Sequence, residues 1–131
     1  MIAEIGAFTA MLALALSLAQ GLLGLTGARH EARASAAAAL AQSSAWIAAI
    51  SFACLIALFV RSDFTVAAVA ANSHVDKPLI YKIAGAWGNH EGSMLLWCLV
   101  SASFGAILAF TRGRQSLGLW SRTIGIQGLV T

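Results

Sequence analysis

The chemistry available to this sequence gathers in one short stretch, Trp87-Gly88-Asn89-His90-Glu91-Gly92-Ser93, with a further tryptophan at Trp97. A neutral imidazole such as that of His90 ligates iron, and the start of a helix favours an anion, whether the Glu91 carboxylate or a carboxylate of a ligand. Trp87 and Trp97 bracket the pair, and a broad aromatic face suits a flat apolar ligand. The same four residues have a plain structural reading. Asn89 or Ser93 then caps a helix, His90 and Glu91 hold a loop by hydrogen bonds, Trp87 is an interfacial belt residue and the deeper Trp97 packs. Both readings stand at this level.

Elsewhere the reactive residue types are scattered. His30 lies between arginines and His74 in a polar turn near Asp76, so both read as solvated. Cys54 and Cys98 lie inside apolar runs, without a C-x-x-C spacing or a neighbouring His or carboxylate, and read as packed thiols. No Ser-His-Asp set, P-loop or paired-carboxylate arrangement is visible.

The elements that must position His90 and its neighbours are membrane helices. The chain is 60% hydrophobic and only 10% charged, with a mean hydropathy of +0.83, more apolar surface than a core of 131 residues can hide. Lipid must therefore solvate much of it. A span takes roughly 20 apolar residues, so about three or four exhaust the length and no separate soluble domain fits. The expected fold class is an all-α polytopic transmembrane helix bundle, a single membrane region over 1–131. Spans are expected at 5–26, 36–60 and 92–110, with the start of another at 124–131. Glu4 stands where a signal peptide has a basic residue and the first run is long, so that run reads as a retained helix.

Small residues mark helix contacts. Ala37, Ala41, Ala45, Ala49, Ala53 and Ala57 recur every fourth residue in the second span, and Trp97, Ser101, Gly105 and Ala109 do so in the third. Such tracks let helices approach closely, and they place Trp46 and the serines of the second span against protein rather than lipid. In the long loop 61–91, Asp63 is expected to cap a helix over 64–71 and Pro78 to open one through Tyr81 to Gly85.

Net charge is +3 and the isoelectric point about 9.4, but the basic residues are spread over short loops, which indicates membrane orientation rather than nucleic acid. The loops 27–35 and 111–123 carry Arg29, Arg33, Arg112, Arg114 and Arg122 against Glu31 alone. They are expected in the cytoplasm, which puts the N-terminus and the loop 61–91 on the periplasmic side. Trp120, beside Arg122, is expected in the cytoplasmic aromatic belt.

The stretch from Trp87 to Trp97, with Glu4-Ile5-Gly6, Ser62-Asp63-Phe64-Thr65-Val66, Val69-Ala70-Ala71-Asn72-Ser73 and Tyr81-Lys82-Ile83-Ala84, resembles the N-terminal region of the CcmF family. The resemblance runs over nearly the whole chain, and its polar Trp-Gly-Asn-His-Glu-Gly-Ser core is not something unrelated apolar helices reproduce. It implies a role in cytochrome c maturation, in which haem passes from the chaperone CcmE to an apocytochrome c presented by CcmH and sometimes CcmI. Thiols of a C-x-x-C-H motif then add across the haem vinyl groups, in a holocytochrome c synthase (haem lyase) complex of the bacterial inner membrane or, alternatively, the mitochondrial one. A b-type haem bound by the family helps reduce the incoming haem.

On that resemblance Trp87, His90, Glu91 and Trp97 are expected near haem or its chaperone. The tryptophan-rich segment and the haem-ligating histidines of the family have no counterpart here, so no axial ligand can be assigned and no residue is expected to be catalytic. The chain reads as a fragment or a split subunit. The alternative is a small scaffold or transport subunit of a larger membrane complex that never meets haem.

Overall fold

The computed structural model describes residues 1–112 and 115–131. Arg114, counted above among the loop arginines, lies outside the described residues. Regular structure among those described is entirely helical: α1 (Ile2–Thr26), α2 (Glu31–Arg61), α3 (Ala67–Asn72), α4 (Leu79–Gly85), α5 (His90–Ala109) and α6 (Leu117–Val130), with a 3-10 turn at Gly27–Arg29. The protein is an all-α membrane helix bundle, in which Ile2–Arg29, Glu31–Arg61 and His90–Ala109 are long and apolar enough to cross a bilayer.

Helix lengths follow from where the polar residues fall. At 1.5 Å per residue α5 reaches about 30 Å, the depth of a hydrocarbon core, whereas α2 reaches about 46 Å and overhangs it. Glu31 and Arg33, read above as loop, lie in the first turn of α2, where an acid suits the positive helix end. At the far end Ser62 takes a left-handed backbone (φ 54°) that terminates α2, with its N–H donating back to Phe59 and that of Asp63 to Leu58.

Helices α1 and α2 form an antiparallel hairpin. It is closed at one end by the 3-10 turn, where His30 N–H donates to Gly27 O at 3.0 Å, and tied near the other by Ser51 Oγ donating to Gly6 O at 2.9 Å. Helix α5 runs along α2, and α6 lies antiparallel to α1. The α1–α6 crossing depends on glycine: a Cβ on Gly24 would stand 2.4 Å from Gly125 Cα, so neither position admits a side chain without parting the helices. Hydrophobic burial drives little in lipid, and close backbone approach with interhelical hydrogen bonds takes its place. Gln20 Nε2 donates to Ile124 O at 2.9 Å and Gln127 Oε1 at 2.7 Å, Gln127 Nε2 donates to Ser101 O at 2.6 Å, and Ser121 Oγ donates to Gly24 O at 2.6 Å.

Two expectations are corrected, and one residue is placed. The contact face of α2 is not the every-fourth alanine track: Ala34, Ala37, Ala41, Ser44, Ala48 and Ser51 are buried, alternating steps of three and four, while Ala53 is exposed. A strict step of four drifts around a helix of 3.6 residues per turn, so the track leaves the interface after Ala41. Trp46 projects from the bundle, 74% exposed, instead of packing on this chain's own helices. Trp120 is no belt residue. Helix α6 starts at Leu117, which places Trp120 within it, 3% exposed among Ala34, Ala37, Ala41, Ala109 and Ile124.

Candidate functional site

The loop between α2 and α5 is built on the last turns of α2. Lys82 Nζ donates to Ser62 Oγ at 2.7 Å, and Gly85 sits so close to the Phe59 ring that a Cβ there would stand 3.2 Å from it. Further along, the Trp87 ring stacks on Phe52, centroids 6.5 Å apart at 28°. Leu58, Phe59, Val69 and Ala86 form a small buried cluster under this shoulder. Pro78 precedes α4 as expected. Asp63, expected to cap α3, instead accepts from Thr65 Oγ1 at 2.6 Å and Thr65 N at 3.2 Å, and α3 begins later, after Val66. Both bonds favour the ionised form and hold the Asp63 carboxyl below the usual carboxylate range. Ser73 Oγ is buried and has no hydrogen-bond partner among the described residues.

The start of α5 is held from both sides by one residue. Asn89 is its N-cap: Oδ1 accepts from Gly92 N–H at 2.7 Å, while Nδ2 donates to Gly85 O at 2.8 Å and joins α5 to α4. Gly92 is required by the same geometry, since a Cβ there would stand 1.6 Å from Ala86 O. The motif thus divides by role. Trp87, Asn89 and Gly92 set the fold, which leaves His90 and Glu91. Both are exposed, and neither side chain has a hydrogen bond or ion pair among the described residues.

His90, Met94 and Trp97 recur at i, i+4 and i+7 and share one face of α5. Trp97 is 71% exposed. It borders an open groove of about 460 Å³ with Met94, Ser101 and Phe104 of α5 and Val130 and Thr131 at the end of α6. Trp87 faces α2 instead, 42% exposed with one side of its ring on Phe52. The four candidate residues therefore do not converge on a single cavity. His90 and Trp97 line one exposed strip, Glu91 lies beside its upper end, and Trp87 braces the loop from the other side.

The strip carries one imidazole, His90, beside the apolar Met94 and Trp97. Among the described residues no three His, Cys, Asp or Glu side chains come together as a metal site, and His30 lies at the opposite end of the bundle. His74 is exposed in the loop. Cys54 and Cys98 are free and half-buried, Cys54 at the α1–α2 contact beside Gly6.

Over 99% of its length the chain is 45% identical to the cytochrome c-type biogenesis protein ccl1 of Rhodobacter capsulatus and 44% identical to CycK of Bradyrhizobium diazoefficiens. Over its full length it is 38% identical to CcmF of Escherichia coli, also called a cytochrome c-type biogenesis protein. It matches the N-terminal portion of CcmF-type proteins. The chain spans about one fifth of the length of these curated relatives, 20%, 20% and 21% respectively. No family model matches the sequence. No solved structure matches it either.

Several residues that carry the likeness, Ser62, Lys82, Trp87, Asn89 and Gly92 among them, also build the outer loop. Sequence reasoning missed Phe52, which supports Trp87 from within α2. An aromatic in the middle of an apolar run carries no signal of its own.

Proposed function

We propose that this chain is the N-terminal membrane part of a CcmF-like cytochrome c maturation protein, which takes haem from the chaperone CcmE and helps attach it to the C-x-x-C-H motif of apocytochrome c. The surface from Asp63 to Ser93 and down to Trp97 belongs on the periplasmic side of a bacterial inner membrane, with the N-terminus beside it and Arg29, Arg33, Arg112 and Arg122 in the cytoplasm. There it forms part of the place where haem or its chaperone docks. CcmH, with CcmI where present, brings the apocytochrome. Haem here is cargo. The segment supplies a docking surface, and the b-type haem and its axial ligands belong to other parts of the protein.

The observation that carries this reading is the division within the motif. Three of its residues are used by the fold, whereas His90 and Glu91 stand unpartnered above an exposed Met94–Trp97 strip. An imidazole and an apolar edge at the positive N-terminal end of α5 match a ligand with propionates and a flat apolar ring. Identity of 38–45% to proteins of cytochrome c biogenesis supports the same role.

The test is an in-frame deletion of the coding segment in the source organism, followed by a peroxidase stain for covalent haem on its membranes and a b-type cytochrome spectrum. Loss of covalent haem with b-type haem retained is expected. Persistence of both would transfer the chain to a scaffold or transport role.

A further inference from the structure

At the end of the bundle away from His90, cations outnumber anions. Arg29, Arg33, Arg112 and Arg122 lie there, and Glu31 is the one carboxylate among the described residues at that end. Glu31 is already engaged in an ion pair with Arg112, whose guanidinium also lies 5.9 Å over the Trp120 ring. Arg29, Arg33 and Arg122 are exposed and have no carboxylate partner among the described residues.

Packing brings these three together. A Cβ on Gly118 would stand 3.5 Å from Ala28 O, and Ser121 Oγ donates to Gly24 O. Arg29 follows Ala28 and Arg122 follows Ser121, so both leave the same α1–α6 seam. Arg33 adjoins Ala34 at the foot of the same seam, where a Cβ on Gly27 would stand 2.9 Å from Ala34 N and 2.7 Å from Ser121 Oγ. The positive ends of α2 and α6 face the same way, and neither has a side-chain cap. Beyond the arginines the helices present exposed Leu22 and Leu25 on α1 and Leu119 and Ile126 on α6.

We propose that this end of the α1–α6 seam binds an anionic phospholipid, with Arg29, Arg33 and Arg122 around the headgroup phosphate and the leucines and isoleucine along its acyl chains. A soluble phosphate matches only the first half of that surface. The apolar half selects a lipid, and the uncompensated charge selects an acidic one.

The experiment is native mass spectrometry of the full protein purified from its membrane with its subunits, equilibrated with phosphatidylglycerol or phosphatidylcholine. Phosphatidylglycerol should be retained at least tenfold in preference, since each arginine near a headgroup contributes on the order of a fivefold gain. The triple variant R29Q/R33Q/R122Q should lose the preference, while R61Q at the opposite end keeps it. Should the triple variant not fold, the wild type decides: about 1 M salt shortens the Debye length to roughly 3 Å and should abolish the preference. Equal retention of the two lipids, a preference that survives both the triple variant and high salt, or displacement by glycerol phosphate at comparable concentration would each overturn the proposal.

Discussion

Trp120 on α6 donates its indole N–H to the main-chain oxygen of Leu108 on α5 at 3.0 Å, and so latches the last helix to the end of α5. Its ring fills the space that the small residues Ala34, Ala37, Ala41 and Ala109 leave open. Trp120→Phe should lower stability by about 1 kcal/mol, the usual net worth of one hydrogen bond. Trp120→Ala should cost roughly 3 kcal/mol or more through the cavity it opens. The exposed Trp46→Ala should change stability by no more than about 0.5 kcal/mol. Thermal unfolding in detergent ranks the three, and equal effects at Trp46 and Trp120 would refute the buried placement of Trp120.

The polar seam between α1 and α6 should behave as a coupled unit. Gln20→Leu and Gln127→Leu each remove one side of the 2.7 Å bond between them. A double-mutant cycle should return a coupling near 0.6 kcal/mol and below about 1.7 kcal/mol, the range for interhelical bonds in lipid. Strict additivity would mean the two amides do not meet in the membrane.

Asn89 holds both α5 and α4, so Asn89→Ala should cost about 1 kcal/mol for the lost cap, with a further loss from the free Gly85 carbonyl. Asn89→Asp keeps the acceptor for Gly92 and loses only the donor. Its melting temperature should fall between those of the wild type and the alanine variant, and a value below alanine would contradict the capping role.

The lowered pKa of Asp63 has a definite sign. Thr65 stabilises the charged carboxylate, so the contribution to stability is complete above the ordinary carboxylate value, roughly 3.9, and fades as pH falls through the lower folded value. Thr65→Val should raise the Asp63 pKa, followed by the carboxyl carbon shift in an NMR titration. An unchanged midpoint would show that Thr65 is not its cause.

Much of this architecture was legible in the sequence because hydropathy reports directly on residues that lipid solvates. Helices α1, α2 and α5 contain the runs 5–26, 36–60 and most of 92–110, and the turn chemistry around Pro78 marked α4, while the α5 cap stood open between Asn89 and Ser93 until the structure gave it to Asn89. What composition could not convey was direction around each helix. Trp120 beside Arg122 matches an interfacial tryptophan in every local respect, and the room for it comes from Ala109 of α5 and from alanines of α2 far away in the chain. The alanine track was misread for the related reason that a four-residue repeat looks like a face until the 3.6-residue turn is followed for several steps. At the candidate site the sequence marked His90 and Glu91, but it took the packing of Trp87, Asn89 and Gly92 to separate residues that build the loop from those left free.

The central claim is that the free part of the motif serves haem delivery. Its most direct test is the full-length protein carrying H90A, E91A and W97A together, with membrane abundance matched to wild type and covalent haem on cytochromes c read by peroxidase stain. Loss of most covalent haem at normal abundance is the predicted result. Unchanged covalent haem with all three side chains removed would contradict the account.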